Sequence, residues 1–299
     1  ITIRNQPVFI AADHTIVRYL RFRLGSASGL EADALGARNC SDVIIDHCSI
    51  SWSTDENASF YNWNDATVQW CIISEALNAS VHSKGNHGYG GIWGGRNVSF
   101  HHNLFAHNSS RNPRFDHPRL YHGMDLLTGR GTVDFVNNVV YNWSMKAIYG
   151  GEEGWFNVTD NWFRPGPATS KLDGQWLEFY VSKSTSDIPG NFYIADNVYD
   201  VSAVKKGNAE GRLPDEKSVE IWENTYEEAS AGEPYQINVR LYEQDADEAY
   251  RSVLKYAGAS HRRDAVDKRV IKEVKKGKAK HAGSITGLPG IIDSEKDVM

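Results

Sequence analysis

The sequence predicts an all-β fold, a parallel solenoid with a short helical and extended extension at its C-terminal end. Three observations carry this. Short strand-like runs recur along most of the chain. A small polar residue or a cysteine recurs inside each run. Beyond residue 230 the pattern turns to helical periodicity. Repeats of this kind set the architecture before any single residue does.

The runs begin with VIIDHCSIS (43–51), TVQWCIIS (67–74), VSFHHNLFAH (98–107) and VDFVNNVVYNW (133–143). FNVTDNWFR (156–164), FYIADNVYD (192–200) and VEIWENTYE (219–227) follow. Each alternates apolar and polar residues, then reaches the recurring position. Aligned there, the series is Cys48, Cys71, Asn103, Asn138, Asn161, Asn197 and Asn224. The intervals are 23, 32, 35, 23, 36 and 27 residues. Two intervals of 23 set a minimum coil, and the longer ones hold inserted loops. Stacked coils bury inward side chains against one another, and asparagines at one position can hydrogen-bond up the stack. These asparagines are therefore read as structural. A two-sheet sandwich is the competing architecture. It needs hairpins, and Asn-Gly or Asp-Gly between neighbouring runs is nearly absent.

The tail is assigned two amphipathic helices. DADEAYRSVLKYAG (245–258) has Asp245 as N-cap, Glu248 three residues on and Gly258 as a stop. DAVDKRVIKEVKKG (264–277) puts Val266, Val270, Ile271 and Val274 on one face, with Gly277 after them. The lysines at 272, 275, 276, 278 and 280 read as a solvated face and polar tail. GSITGLPGIIDSEKDVM is expected to run as an extended strap. The boundaries are a solenoid over 1–230, its N-terminal coils expected to be missing, and an extension over 231–299 packed on it.

Composition narrows the function. The 299 residues are 40% hydrophobic and 23% charged, with net charge −6 and mean hydropathy −0.50. Apolar runs never reach the ~18 residues of a membrane span. Net negative charge argues against nucleic acid as partner and leaves an acidic ligand open if a cleft is locally basic or holds a metal. Three cysteines, Cys40, Cys48 and Cys71, leave at least one unpaired and match no zinc spacing. The chain opens ITIRNQPVFI, inside a strand-like run and without Met, so an upstream part and any export signal are expected to be missing.

Solenoids carry function on one face and on inserted loops. GLEADALGARNC offers Glu31 and Asp33, two apart and so on one side of a strand. About one coil later SWSTDENAS offers Asp55 and Glu56. Carboxylates stacked on one face repel unless they share a cation, and an all-oxygen set suits Ca²⁺. Solvated loop acids are the alternative. SVHSKGNHGYGGIWGG (80–95) marks an irregular close-approach segment holding His82, Lys84 and His87, without the pattern of a phosphate loop. His101 and His102 are adjacent on a strand and are expected to face opposite sides. In SSRNPRF, Pro113 restricts the backbone beside Arg111, which with Arg114 reads as an anion clamp or an inter-coil salt bridge.

In order, EADAL, VIIDHCSISWS, TVQWCIIS and SFHHNLFAHNSSRNPR resemble segments of the pectate lyases of polysaccharide lyase family 1. The likeness extends over roughly residues 1–230, and AYRSVLKYAGAS and RRDAVDKRVI resemble the tail of bacterial relatives. This implies a right-handed parallel β-helix that cleaves polygalacturonate by β-elimination. It also implies Ca²⁺ between acidic side chains and a uronate carboxylate, an arginine base, and a secreted or periplasmic protein, expected to be monomeric. Arg111 matches the base, Lys84 is similar to the lysine that holds the substrate carboxylate, and Glu31 and Asp33 match the first acidic pair. His82 and His87 join the expected substrate contacts.

Two positions depart from the family. Its second acidic pair is four residues apart, and here Asp55 is followed at that spacing by Ser59, leaving Asp55 alone or with Glu56. Its second arginine, five residues after the base, is here Asp116, with Arg114 or Arg119 as substitutes. Two other functions compete. A β-helix glycoside hydrolase would use two carboxyl groups, such as Asp33 and Asp55. A non-catalytic carbohydrate-binding solenoid would present Trp52, Trp93 and Trp143 for stacking on sugars.

Overall fold

A computed structural model describes residues 1–117, 131–169, 179–182, 188, 190–200, 219–222, 229–238 and 243–299. Most strands fall into three sheets. The first has eight strands among the described residues, from Thr2–Arg4 to Val198–Tyr199. The second has six, from Val8–Ile10 to Tyr149–Gly150, and the third seven, from Thr15–Arg18 to Asn191–Ala195. One turn of the chain runs through Ser41–Asp46 in the third sheet, Ser49–Ser51 in the first and Ala58–Phe60 in the second. It then returns to the third sheet as Asn64–Gln69, in register with Ser41–Asp46. All pairings between described strands are parallel. This is a parallel β-helix, and it overturns the sandwich.

The recurring position is a hydrogen-bonded ladder. The Cys71 N–H donates to Asn103 Oδ1 at 2.9 Å, Asn103 N–H to Asn138 Oδ1 at 2.9 Å, and Asn138 N–H to Asn161 Oδ1 at 2.8 Å. Asn161 N–H continues to Asn197 Oδ1 at 2.9 Å. The first rung is a weaker one, from Cys48 N–H to Cys71 Sγ at 3.4 Å. Asn224 lies outside the described residues. The side-chain amides also donate, as Asn138 Nδ2 does to Phe100 O at 2.8 Å. Each buried amide thereby satisfies backbone groups that a sharp corner would leave unpaired.

The residue before each rung adopts left-handed backbone. Tyr19, His47, Trp70 and His102 have φ of 55°, 51°, 52° and 56°. A non-glycine residue costs roughly 1–2 kcal/mol there, and outward stacking offsets it. Ring centroids are 4.9 Å apart for Tyr19 and His47 and 4.2 Å for Trp70 and His102. This corner corrects the expectation for His101 and His102. They do not face opposite sides, because the strand ends at His101 and the positive φ of His102 turns its ring back. Their Nδ1 atoms are 2.9 Å apart, and His102 Nε2 meets Gln244 Oε1 at 3.0 Å.

The core is an aromatic and aliphatic stack that includes Phe60, Trp63, Trp93, Phe105, Phe115 and Phe156. Trp52, Trp93 and Trp143 are all buried, so the sugar-stacking platforms expected of a binding solenoid do not exist at these positions. On the first sheet the outward row Ile72, Leu104, Val139 and Trp162 is apolar too. Helix α1 (Ala246–Tyr256) and helix α2 (Ala265–Lys276) cover it with Val253, Leu254, Val270, Ile271 and Val274. Asp245 caps α1 by accepting from Glu248 N–H, and Gly277 ends α2 in left-handed backbone, as the sequence predicts. Val266 is only partly buried and packs toward Trp52, Leu77 and Ile292 instead. An ion-pair network fixes α2, with Arg23 on Asp267 at 2.6 Å and Arg269 on Glu75 at 2.7 Å.

The closing segment differs from an extended strap. Residues 283–290 fold into a tight loop closed by the Ala282–Pro289 bridge, and Asp293 accepts from the Ile285 and Thr286 N–H groups, both at 2.8 Å. Beyond it, Asn78 N–H donates to Ile292 O, which ties the segment to the coil that leads into the 80–95 loop.

Candidate active site

The second sheet and the loops at its entrance gather most of the predicted site. Arg111 follows Ser110, which bridges to Tyr89 on the neighbouring coil. Its backbone is left-handed, at φ 56°. The Gly91 N–H donates to Arg111 O at 2.8 Å, and a Cβ on Gly90 would lie 2.2 Å from that oxygen. The glycines of the 80–95 segment therefore permit a close approach that fixes the Arg111 backbone. The guanidinium has three partners: an ion pair from Nη1 to Glu56 Oε1, a hydrogen bond from Nε to Tyr149 Oη at 3.1 Å, and the Tyr89 ring, 4.7 Å away.

Glu56 leads to the carboxylates. One oxygen each of Asp33, Asp55 and Glu56 lies within 4.8 Å of the others. Asp33 also accepts from the Glu56 N–H at 3.1 Å. Burial and the charge of Asp55 push the Asp33 carboxyl up to about 7. Burial also pushes Asp55 up, but the hydrogen bond and charge of His87 and the charge of His82 outweigh it and hold Asp55 below its ordinary value. Crowded carboxylates that part in this way lack positive charge. All the donors are hard anionic oxygens, so the set fits a Ca²⁺-type cation, with substrate or water oxygens completing its shell.

The other predicted residues take distinct places. Glu31 and Asp33 lie in a loop before Leu35–Ala37 rather than on a strand, so the expected same-side geometry does not apply. Glu31 stands outside the cation set. Its Oε2 accepts from Ser83 N–H at 2.7 Å and its Oε1 from Ser83 Oγ at 3.2 Å, which lowers its pKa. His82 and His87 stack at 3.7 Å and turn both Nε2 atoms on Asp55, at 3.3 and 3.0 Å. They are buried walls of the carboxylate site, not open substrate contacts. These two rings and Asp55 also form a possible metal-ligand group. The His82 tautomer opposes it, because Nδ1 accepts from Lys84 N–H at 3.0 Å and the proton must then sit on Nε2, facing Asp55.

Lys84 is exposed, and among the described residues its ammonium makes no ion pair. Arg114 is buried with Nη2 3.4 Å from Glu152 and Nη1 on Phe115 O, which removes it from the expected anion contacts. Arg119 lies outside the described residues. Sequence reasoning missed Tyr89 and Tyr149, the two aromatic partners of Arg111. Tyr89 carries a signal, as the one large side chain in HGYGG. Tyr149 carries none.

No family model matches the chain. A probable pectate lyase C of Neosartorya fischeri is 33% identical over 272 residues, covering 89% of this chain and 56% of the relative. The probable pectate lyase C of Aspergillus terreus is 32% identical over 298 residues, covering 95% and 62%. The chain thus spans little more than half the length of these curated relatives. Among solved structures, a Paenibacillus pectate lyase superimposes with TM-score 0.56 at 14% identity, covering 90% of this chain and 75% of that one. A thermostable pectate lyase gives TM-score 0.56 at 14% identity, covering 88% and 66%. A pectate lyase bound to a hexasaccharide gives 0.54 at 14% identity, covering 87% and 65%. At such identities the solved structures establish the fold alone. By sequence and fold together, the chain is a homologue of the curated pectate lyase C proteins, built on the parallel β-helix that solved pectate lyases share.

Proposed function

We propose that this chain is a polysaccharide lyase that cleaves polygalacturonate by β-elimination, with Arg111 as the base and Ca²⁺ held by Asp33, Asp55 and Glu56. The observation that carries the reading is the Arg111–Glu56 ion pair, which joins the candidate base to the carboxylate set. When bound, the cation neutralises the uronate carboxylate and acidifies the adjacent C5 hydrogen. Arg111 takes that proton, the C–H electron pair becomes a C4–C5 double bond, and the C4–O bond breaks to release the leaving sugar oxygen. The products are unsaturated oligogalacturonides.

Arginine is a weak base, since its pKa exceeds about 12. Neighbouring positive charge favours its neutral form. Tyr149 and Tyr89 hold the guanidinium in one orientation, while Glu56 favours its charged form until a cation engages that carboxylate. His82 and His87 keep Asp55 ionised, and exposed Lys84 is placed to reach the substrate carboxylate. Secretion or export fits a polymeric substrate.

The hydrolase reading is weaker. Its two carboxyl groups must flank a glycosidic bond at about 5 Å or more, whereas Asp33 and Asp55 share one cluster with oxygens within 4.8 Å. The test is ultraviolet absorbance of unsaturated uronide after adding the protein to polygalacturonate at alkaline pH, with Ca²⁺ and then with a chelator. Absorbance that the chelator abolishes supports the lyase. Rising reducing ends without absorbance would establish the hydrolase instead.

A further inference from the structure

A cleft of about 280 Å³ adjoins the carboxylate set, lined by Asp33, Asp55 and Glu56 on one side and by Phe9, Gly36 and Arg38 on the other. Arg38 stands out for what it lacks. Its guanidinium lies 4.1 Å from the Tyr61 ring and 6.0 Å from that of Phe9. Its Nη2 is 3.9 Å from Asp33 Oδ2, beyond hydrogen-bond length. Nε is buried without a partner, and its side chain is 39% exposed. An arginine held by aromatic rings, with no hydrogen bond to its terminal nitrogens among the described residues, presents an unused planar donor fork to the cleft.

The surroundings define the ligand. Phe9 is 55% exposed, a large aromatic face open to solvent. Its ring lies over Gly36, where a Cβ would approach it to 2.9 Å. Gly36 and Ser59 continue the Phe9 row across the sheet, so the floor of the cleft is shallow there. An open aromatic face over a shallow floor suits the apolar face of a sugar ring. A guanidinium opposite the cation-holding acids suits a single carboxylate.

We propose that Arg38, with Phe9 and Tyr61, forms a sugar subsite that takes the free carboxylate of a uronate residue neighbouring the one at the carboxylate set. This deepens the lyase reading and rests on it. The subsite discriminates against a methyl-esterified residue, because an ester offers no charge to the guanidinium. A hydrogen bond to a charged group contributes enough to change affinity by roughly ten- to a hundredfold.

The test compares wild type, Arg38→Ala and Arg38→Lys. Binding of trigalacturonate and of its methyl ester is measured by calorimetry, and KM on polygalacturonate and on highly esterified pectin by absorbance. Arg38→Ala is expected to weaken trigalacturonate binding about tenfold or more and to leave methyl-ester binding within about twofold. Arg38→Lys keeps the charge and loses the fork, so it falls between them; it also decides the matter should the alanine variant not fold. Equal losses on acid and ester, or no loss on either, overturn the subsite. Wild type that binds trigalacturonate but yields no unsaturated product refutes the lyase reading, while the ratio between acid and ester still decides Arg38. Wild type that binds neither ligand overturns both.

Discussion

Arg111 and Glu56 are 55 residues apart in the chain and form one ion pair in the fold. Glu56 also belongs to the carboxylate set with Asp33 and Asp55. A cation and the guanidinium therefore compete for the same carboxylate, and engagement of Glu56 by a cation loosens its hold on Arg111.

Arg111→Ala tests both roles. Turnover of polygalacturonate is expected to drop by roughly 10²–10⁴, the usual contribution of a positioned proton acceptor. Ca²⁺ affinity, measured by calorimetry, should hold or rise, because a competitor for Glu56 has gone. A fall in Ca²⁺ affinity would show that Arg111 supports the cation site instead of competing with it.

The carboxylate set predicts a contrast between two neighbouring acids. Asp33→Asn should weaken Ca²⁺ binding by tenfold or more (about 1.4 kcal/mol), while Glu31→Gln should change it little, because Glu31 is engaged by Ser83. Asp33 has its carboxyl pushed up to about 7 by burial and by Asp55, so below that pH a proton occupies the site. Ca²⁺ affinity is therefore expected to decline as pH falls below about 7, with proton release on binding. Titrations in buffers of different ionisation enthalpy would read this directly, and a flat profile would remove Asp33 from the set.

The asparagine ladder predicts a stability effect far from the site. Asn138 accepts from Asn103 N–H and donates to Phe100 O and Val136 O, all buried. Asn138→Ala strands these groups and should cost roughly 3–5 kcal/mol by denaturant titration, at about 1–3 kcal/mol for each orphaned group. Asn62, whose amide reaches Asn39 on the surface, should tolerate alanine at under about 0.5 kcal/mol.

His102 predicts the acid side of the stability curve. Burial pushes its pKa down to about 4, although the hydrogen bond from Gln244 resists the shift. The folded protein keeps this ring neutral, while the unfolded chain protonates it near 6.5. Its contribution is complete above about 6.5 and is lost as pH falls toward about 4, by roughly 3 kcal/mol in all. Thermal denaturation of wild type and His102→Gln between those pH values should show the slope in the first and its loss in the second.

Much of this fold is written locally. The intervals between Cys48, Cys71, Asn103, Asn138, Asn161 and Asn197 are coil lengths, and each pair turned out to be a rung. A solenoid stacks near neighbours, so its contacts recur at the period of its sequence. The caps at Asp245, Asp264 and Gly277 are readable for the same reason, since a cap is settled within four residues. The left-handed corners escaped, because no glycine marks them. Their cost is offset by Tyr19, His47, Trp70 and His102 stacking on one another across coils.

The site divides along the same line. Residue type and order pointed to Arg111 and to the acids by themselves, because a guanidinium beside a restricted proline and carboxylates one coil apart are sequence facts. Which acids converge was decided by loop geometry. Glu31, on a loop rather than a strand, went to Ser83, and Asp33 met Asp55 and Glu56. Arg114, alike in sequence to Arg111, was claimed by buried Glu152. Tyr149 and Arg38 acquired meaning only from partners on other coils. Local spacing carries backbone architecture because short-range hydrogen bonding enforces it; side-chain partnership depends on the angles at which loops leave the coils, and only tertiary packing sets those.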